Sequence, residues 1–271
     1  MNPVKLLHVA SASIERNVLE LGQHFKSPEL VELDGMPVFR HRQQDDLLMS
    51  YLKCVRLCSL NNAVLVLLDS GQIYETFILA RCIDESVEDI FYLSRARGAG
   101  DSPSEDQLQM VREFFQEEFA RPNDPLNTNT ARNRLKREKI QAAIAADVAA
   151  PLNPYDSKQS SKVIHRSFSG YVHGAYPHIM EAYGVSGGVG RYFTRGLAGT
   201  PRMGECIDVL LHSFYRGILA ARVVAKRCSS PEVDDALLAI ANLFDEFLPT
   251  FAEDPKVVLR RIKDRARKSK T

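Results

Sequence analysis

The sequence predicts an all-α protein, an antiparallel helical bundle with a small β-hairpin element and a glycine-rich loop. Three observations predict it. Apolar residues recur at threes and fours over long windows, as in Leu48, Tyr51, Leu52, Val55, Leu57, Cys58, Val64 and Leu67. Turn formers break these windows at helix-like lengths, and the clearest strand signal is a short alternating run around a DG pair. With 271 residues, 45% of them hydrophobic and 25% charged, the chain is large enough to bury a core and too apolar to stay unfolded.

The elements follow in order. Leu6, Val9, Ile14 and Leu19 give the first 25 or so residues a weak helical pattern. In LVELDGMPVFRH the Asp34-Gly35 pair separates two alternating runs, a small peripheral hairpin. A long helix runs from about Asp46 to Ser70-Gly71, and a second resumes after that break and continues to Arg97; so tight a turn folds two helices back antiparallel. A third helix spans about Glu105 to Ala120, with Ser104 as its cap and Leu108, Val111, Phe114, Phe115 and Phe119 on one face. NTARNRLKREKIQAAIAADVAA supplies a fourth, stopped by PLNP, and a fifth covers about Tyr155 to His173. From Gly170 to Gly204 nine glycines accumulate around a short helix at His178 to Tyr183 and a loop or hairpin near Arg191 to Thr194. Thr200-Pro201 opens a strongly apolar helix that ends near Arg227, and Ser230-Pro231 opens the next. Residues 1–254 therefore read as one helical domain, an N-terminal helix and hairpin (1–43) followed by a bundle (44–254), with a basic tail at 255–271.

Charge and cysteine usage narrow the class. The net charge is +1, yet residues 255–271 hold eight basic side chains against Asp264 alone, a net of +7 that leaves −6 for the rest. Within that tail Arg260, Arg261, Lys263, Arg265 and Arg267 are candidates for phosphate contact. Cys54, Cys58, Cys82, Cys206 and Cys228 are odd in number and sit in apolar helical patterns, which suits buried, reduced thiols. The start MNPVKLLHVASASIERN lacks the apolar core of a signal peptide, and no run approaches the ~20 apolar residues of a membrane span. A cytoplasmic location follows as the expectation.

The stretch RSFSGYVHGAYPH carries the sharpest chemical signal. Arg166 and His173 are seven residues apart, about 20° from a common helix face, with Ser169 between them. Ile164, Phe168, Tyr171 and Val172 form the opposite, apolar stripe, so the Arg-Ser-His face points away from its own core. Gly174 is placed to end the helix just after His173, at the negative end of its dipole. Histidine serves as an acid or base near neutral pH, and arginine holds phosphate through paired N–H groups.

An arginine and a histidine so spaced on one helix resemble the signature of the HEPN superfamily of helical-bundle proteins, in its longest-spaced form. ARCIDESVEDIFYLS, with Arg81 and Glu85 one turn apart, and SGYVHG also look like bacterial helical families of phage-defence or toxin type, over about Asp46 to Arg227. The resemblance implies a metal-independent endoribonuclease acting as a homodimer, with RNA as substrate and an antitoxin or regulatory protein as a further partner. It implies that His173 moves protons at the ribose or the leaving oxygen and that Arg166 stabilises charge on the phosphorus. The motif lies at the end of its helix here, whereas the family's usually lies near a helix start. The alternative class is a non-catalytic helical module that binds a partner protein, RNA or a nucleotide through the same face.

Other residues stand beside this pair. Arg81, Glu85 and Glu88 share a face at offsets of four and seven; they read as a surface salt bridge, or as a place where Glu85 orients His173 or anchors Arg166. YGVSGGVGRYFTRGLAGTPR lacks the Gly-Lys-Ser/Thr end of a phosphate loop, yet gathers Arg191, Arg195 and Arg202 with Tyr192 and Phe193, a set that could grip RNA phosphates and stack a base. His165 and His178 flank the motif without any metal-ligand spacing, so neither a metal nor a cofactor is expected.

Overall fold

The computed structural model describes residues 2–95, 102–117, 123, 124, 126, 134–147, 165–186, 189–198, 200 and 202–248. It is predominantly helical, with two separate two-stranded antiparallel hairpins. In chain order the elements are α1 (Pro3–Leu21), β1 (Glu29–Leu33), β2 (Met36–Arg40), α2 (Asp46–Asp69), α3 (Ile73–Leu93), α4 (Glu105–Phe115) and α5 (Arg137–Asp147). They continue with helical residues 165–172 (α6), then α7 (Tyr176–Glu181), β3 (Tyr183–Ser186), β4 (Val189–Tyr192), α8 (Arg202–Arg227) and α9 (Pro231–Asn242).

Caps explain where several helices begin. Asn2 accepts the Val4 N–H at 2.8 Å, with Pro3 preset for the first turn of α1. Asp45 does the same for α2 through the Leu48 N–H, also at 2.8 Å. Ser104 and Gln107 cap α4 reciprocally, each side chain bonding the other's backbone N–H. The main core is then formed by one stripe from each long helix: Leu6, Ile14 and Val18 of α1, Leu57 and Val64 of α2, Ile83 and Ile90 of α3, Phe214 and Ile218 of α8, and Leu237 of α9. Fully burying side chains of this kind stabilises by roughly 1.5–3 kcal/mol each. Helix α1, weak by sequence pattern, is a full member, packing on α2, α8 and α9. A second cluster of Met49, Tyr92, Leu93, Met110, Val111 and Ile140 fastens α4 and α5 to α2 and α3. By length and composition α2 could cross a membrane, but Leu48, Leu57, Val64 and Leu68 lie in the core.

Several expectations shift. α3 ends at Leu93 rather than Arg97, where Ser94 takes up the last carbonyls. α4 ends at Phe115 because Gln116 turns extended, and its inward residues are Met110 and Val111 while Leu108 faces solvent. The short helix α7 begins two residues earlier than His178. The glycine-rich stretch is a hairpin whose strands start at Tyr183, with Tyr192 opposite it. Cys82 is exposed, unlike the other four cysteines.

The glycines that follow β4 serve packing. The Leu197 N–H donates to the Gly71 carbonyl at 2.8 Å, clamping the loop onto the α2–α3 turn. Gly71 and Gly196 both adopt positive φ, 76° and 96°, and a Cβ on Gly196 would overlap the Gly71 carbonyl oxygen.

Candidate functional site

Helix α6 lies against α3 and divides two kinds of surface. On its inner side Phe168 is buried, stacking on Phe77 at 6.3 Å between ring centroids, and Tyr171 meets Phe77 at 4.7 Å. The Tyr171 hydroxyl donates to the Glu181 carboxylate at 2.6 Å, and the Tyr74 hydroxyl donates to the Glu181 backbone carbonyl at 2.6 Å, which ties α7 back to α3. Burial, reinforced by the Glu181 carboxylate, pushes the Tyr171 hydroxyl pKa up, so the phenol keeps its proton as donor. Gly170 has the His178 ring directly over it, and His178 packs edge-on against Tyr171.

The helix stops as its sequence predicts. Gly174 has φ 59°, its N–H bonds the Tyr171 carbonyl at 3.4 Å, and the Ala175 N–H reaches back to the Gly170 carbonyl at 2.9 Å. His173 is therefore the cap residue, its own N–H donated to the Ser169 carbonyl at 3.0 Å. Arg166 and His173 are exposed and Ser169 is half-buried. No described side chain bonds either Arg166 or His173. Val172 is 41% exposed and so leaves the apolar stripe to Phe168 and Tyr171.

Exposed residues recur along the chain through α7 and the second hairpin. Tyr176, Ile179, Tyr183, Val189 and Tyr192 are exposed, as are Arg191 and Arg195. Arg191 lies over the Phe193 ring at 5.5 Å, and Tyr183 meets Tyr192 edge-on at 5.1 Å. The Arg202 side chain and the tail residues Arg260, Arg261, Lys263, Arg265 and Arg267 lie outside the described residues.

Glu85 does not reach His173 or Arg166. Its Oε1 takes Arg81 Nε at 3.0 Å and His165 Nε2 at 3.3 Å, His165 being the half-buried residue of α6 that faces α3. Burial works to raise the Glu85 carboxyl, but the bond from Arg81, the charges of Arg137 and Arg81, and the His165 contact outweigh it and hold the pKa below the usual carboxylate range. Nor is Glu88 part of a surface pair: it is 2% exposed, and Asp89 beside it 3%.

Sequence reading missed what surrounds these two acids. Arg137 of α5 donates to Asp89 at 2.6 Å and to the Glu85 backbone carbonyl at 3.3 Å, and lies 3.5 Å from Glu88. Lys53 of α2 reaches Asp89 at 2.9 Å, Gln141 donates to Glu88 at 3.1 Å, and Arg216 of α8 pairs with Asp84. Desolvation pushes the Glu88 carboxyl up to about 7 despite Arg137 and Gln141. The signal was available: DESVED puts four acids in six residues on an otherwise apolar helix, and RNRLKREK supplies cations that a helix start ordinarily disfavours. A cleft of about 260 Å³ opens beside this network, lined by Lys53, Arg134, Arg137, Glu85, Asp89 and Phe114 among others. Among the described residues no group of His, Cys, Asp and Glu is placed to hold a metal ion.

Comparison with family models, with curated proteins and with solved structures finds no match.

Proposed function

We propose that the chain binds RNA on the outer face of α6 and cleaves it without a metal ion, as HEPN-like ribonucleases of the phage-defence or toxin type do. The observation that carries this reading is the exposed, unmatched pair Arg166 and His173, followed directly in the chain by a hairpin bearing exposed Tyr183, Tyr192, Arg191 and Arg195. Arginines meet phosphates and tyrosine rings stack on unpaired bases, so this surface has the composition of a single-strand contact. Arg166 and His173 lie about 10 Å apart along the helix axis, so a phosphate held between them draws on the reach of both side chains.

The chemistry is a transesterification. A neutral His173 imidazole takes the proton of a ribose 2′-OH, the 2′ oxygen bonds to phosphorus, and the bond from phosphorus to the 5′ oxygen breaks. That oxygen receives a proton from an imidazolium, leaving a 2′,3′-cyclic phosphate and a free 5′-OH. Arg166 stabilises the added negative charge on the phosphorus oxygens as it develops. One chain offers one such histidine, so the proton donor is His173 of a second copy and the active species is a homodimer.

A second reading is RNA binding without cleavage, favoured by one observation: no described residue bonds the His173 imidazole to fix its tautomer. Incubating the purified protein with total RNA in EDTA separates the two. Discrete fragments ending in cyclic phosphate, lost in both His173→Ala and Arg166→Ala, support the nuclease. Intact RNA that stays bound, with affinity weakened by Arg191→Ala and Arg195→Ala, supports the binding module. RNA neither bound nor cut defeats both. Truncation after Asp254 tests the tail, whose eight cations are expected to steepen the salt dependence of affinity.

A further inference from the structure

The first hairpin is built as an unfinished sheet. Asp34 and Gly35 have φ 51° and 79°, the two positive values of the turn that matches a right-twisted ribbon, and Leu33 pairs with Met36 across it. That register points the amides of Glu29, Val31 and Leu33 toward β2 and those of Leu30 and Glu32 outward. On β2 the outward positions are Phe39 and Pro37, and proline has no N–H to offer. The β2 edge is thus blocked against a further strand, whereas the β1 edge keeps both outward N–H groups. No described backbone group bonds either of them.

Side chains mark the same edge. Leu30 and Phe39 are paired on one face and are 61% and 66% exposed, beside Glu32 and Pro37. Val31 and Val38 occupy the other face with Leu33 and Met36. Among the described residues the hairpin is held at its ends: Arg40 pairs with Glu117, Asp34 accepts the Asn123 N–H at 3.2 Å, and Arg42 pairs with Glu29 at 2.7 Å. The described helices make no extended contact with either strand. A two-stranded ribbon is marginal in water by itself, and a third strand removes that deficit. Glu32 is exposed on the same face as Leu30, so a strand that places a cation beside it complements the edge in charge.

We infer that β1 is a docking edge for an extended segment of a partner protein, which adds as a third strand through the Leu30 and Glu32 amides. The segment carries an apolar residue beside Leu30 and, two residues away on the same face, a lysine or arginine beside Glu32; its intervening residue is apolar and meets Val31. Main-chain bonds give affinity and the alternate side chains give the sequence preference. This goes beyond the RNA face, which lies on α6 through β4.

The test uses the full chain and a fluorescein-labelled peptide built from the repeat Lys-Val-Leu-Val, with Glu-Val-Leu-Val as comparator, read by fluorescence anisotropy. The lysine peptide is expected to bind at least tenfold tighter, and Glu32→Lys to reverse that preference. Leu30→Pro deletes an outward N–H without touching the β1–β2 ladder and is expected to weaken binding at least tenfold. Because proline could distort the strand, hydrogen exchange provides an independent readout: the Leu30 and Glu32 amides slow on adding the lysine peptide to the unaltered chain. Equal binding of the two peptides, unchanged exchange at those amides, or a Leu30→Pro-sensitive dimer of the chain without peptide would overturn the proposal, the last by giving the edge to a second copy. RNA cleavage is expected to be unchanged in Glu32→Lys, so the outcome is separate from that of the RNA reading.

Discussion

Arginine and histidine occur in two settings in this protein, and the settings differ in whether a carboxylate answers them. Along the acidic half of α3, Arg81, Arg137, Lys53, Arg216 and His165 each meet Asp84, Glu85, Glu88 or Asp89. Along the outer face of α6, Arg166 and His173 meet no described carboxylate. The first set is committed to holding α5, α6 and α8 against α3. The second is exposed to solvent. A charge inside a protein stays only if it is paired, so the matched residues report folding, whereas the exposed pair is solvated and carries no such constraint.

Breaking the matched set has the largest expected effect. Arg137→Met leaves Glu88 and Asp89 buried without their main cation and is expected to cost about 3–5 kcal/mol in denaturant unfolding. Should the loss be under about 1 kcal/mol, the network is incidental and the contrast fails.

Glu88→Gln should act in the opposite direction and with a pH signature. The folded protein binds the Glu88 proton more tightly than the unfolded chain, since its pKa lies near 7 rather than near the ordinary carboxylate value. Between those values the folded state holds more protons, so this group's contribution to stability falls as pH rises and is at its worst above pH 7. Glutamine mimics the protonated form and still accepts from Gln141. Melting curves are expected to show stabilisation at pH 8 of up to roughly 3 kcal/mol, shrinking toward zero near pH 4 to 5. A pH-independent difference would mean that Glu88 is not titrating in this range.

Glu85 has the reverse sign. Its pKa is depressed in the folded state, so its contribution is present above the unfolded carboxylate value and lost as pH falls through the folded one. Glu85→Ala removes contacts to Arg81 and His165 at a site one-third exposed, and an expected loss of about 1 kcal/mol at pH 7 is accordingly modest. The cost of the same substitution is expected to shrink as pH falls below the unfolded carboxylate value.

The smallest effect on stability belongs to the unmatched pair. Arg166→Ala and His173→Ala are exposed changes, expected to stay within about 0.5 kcal/mol of the parent in the same unfolding experiment. A larger loss from either would move that residue into the structural set. A small loss together with loss of RNA cleavage sharpens the contrast as far as it goes.

Local signals carried much of this. Ser104, Asp34-Gly35 and Gly174 each act within a few residues, and each stands where its own chemistry places it. The spacing of Arg166 and His173 likewise put both on the solvent side of α6, since seven residues nearly close two turns. What could not be read was which acid meets which base. Glu85 and His165 are eighty residues apart in sequence, as Asp84 and Arg216 are 132. Periodicity places a side chain on a face of its own helix and is silent about the face opposite, so His173 was as good a partner for Glu85 as His165.

By itself, then, the sequence determined the helical class, the long helices α2, α3 and α8, the first hairpin and its turn, and the helix stop behind His173, because caps, glycine φ values and apolar periods are local properties. Tertiary structure alone decided that α1 belongs to the core, that DESVED is buried and matched by Lys53, Arg137 and Arg216, and that the glycine-rich loop clamps the α2–α3 turn. These depend on which surfaces meet, and burial of a charge is tolerated only where a distant part of the chain returns to neutralise it.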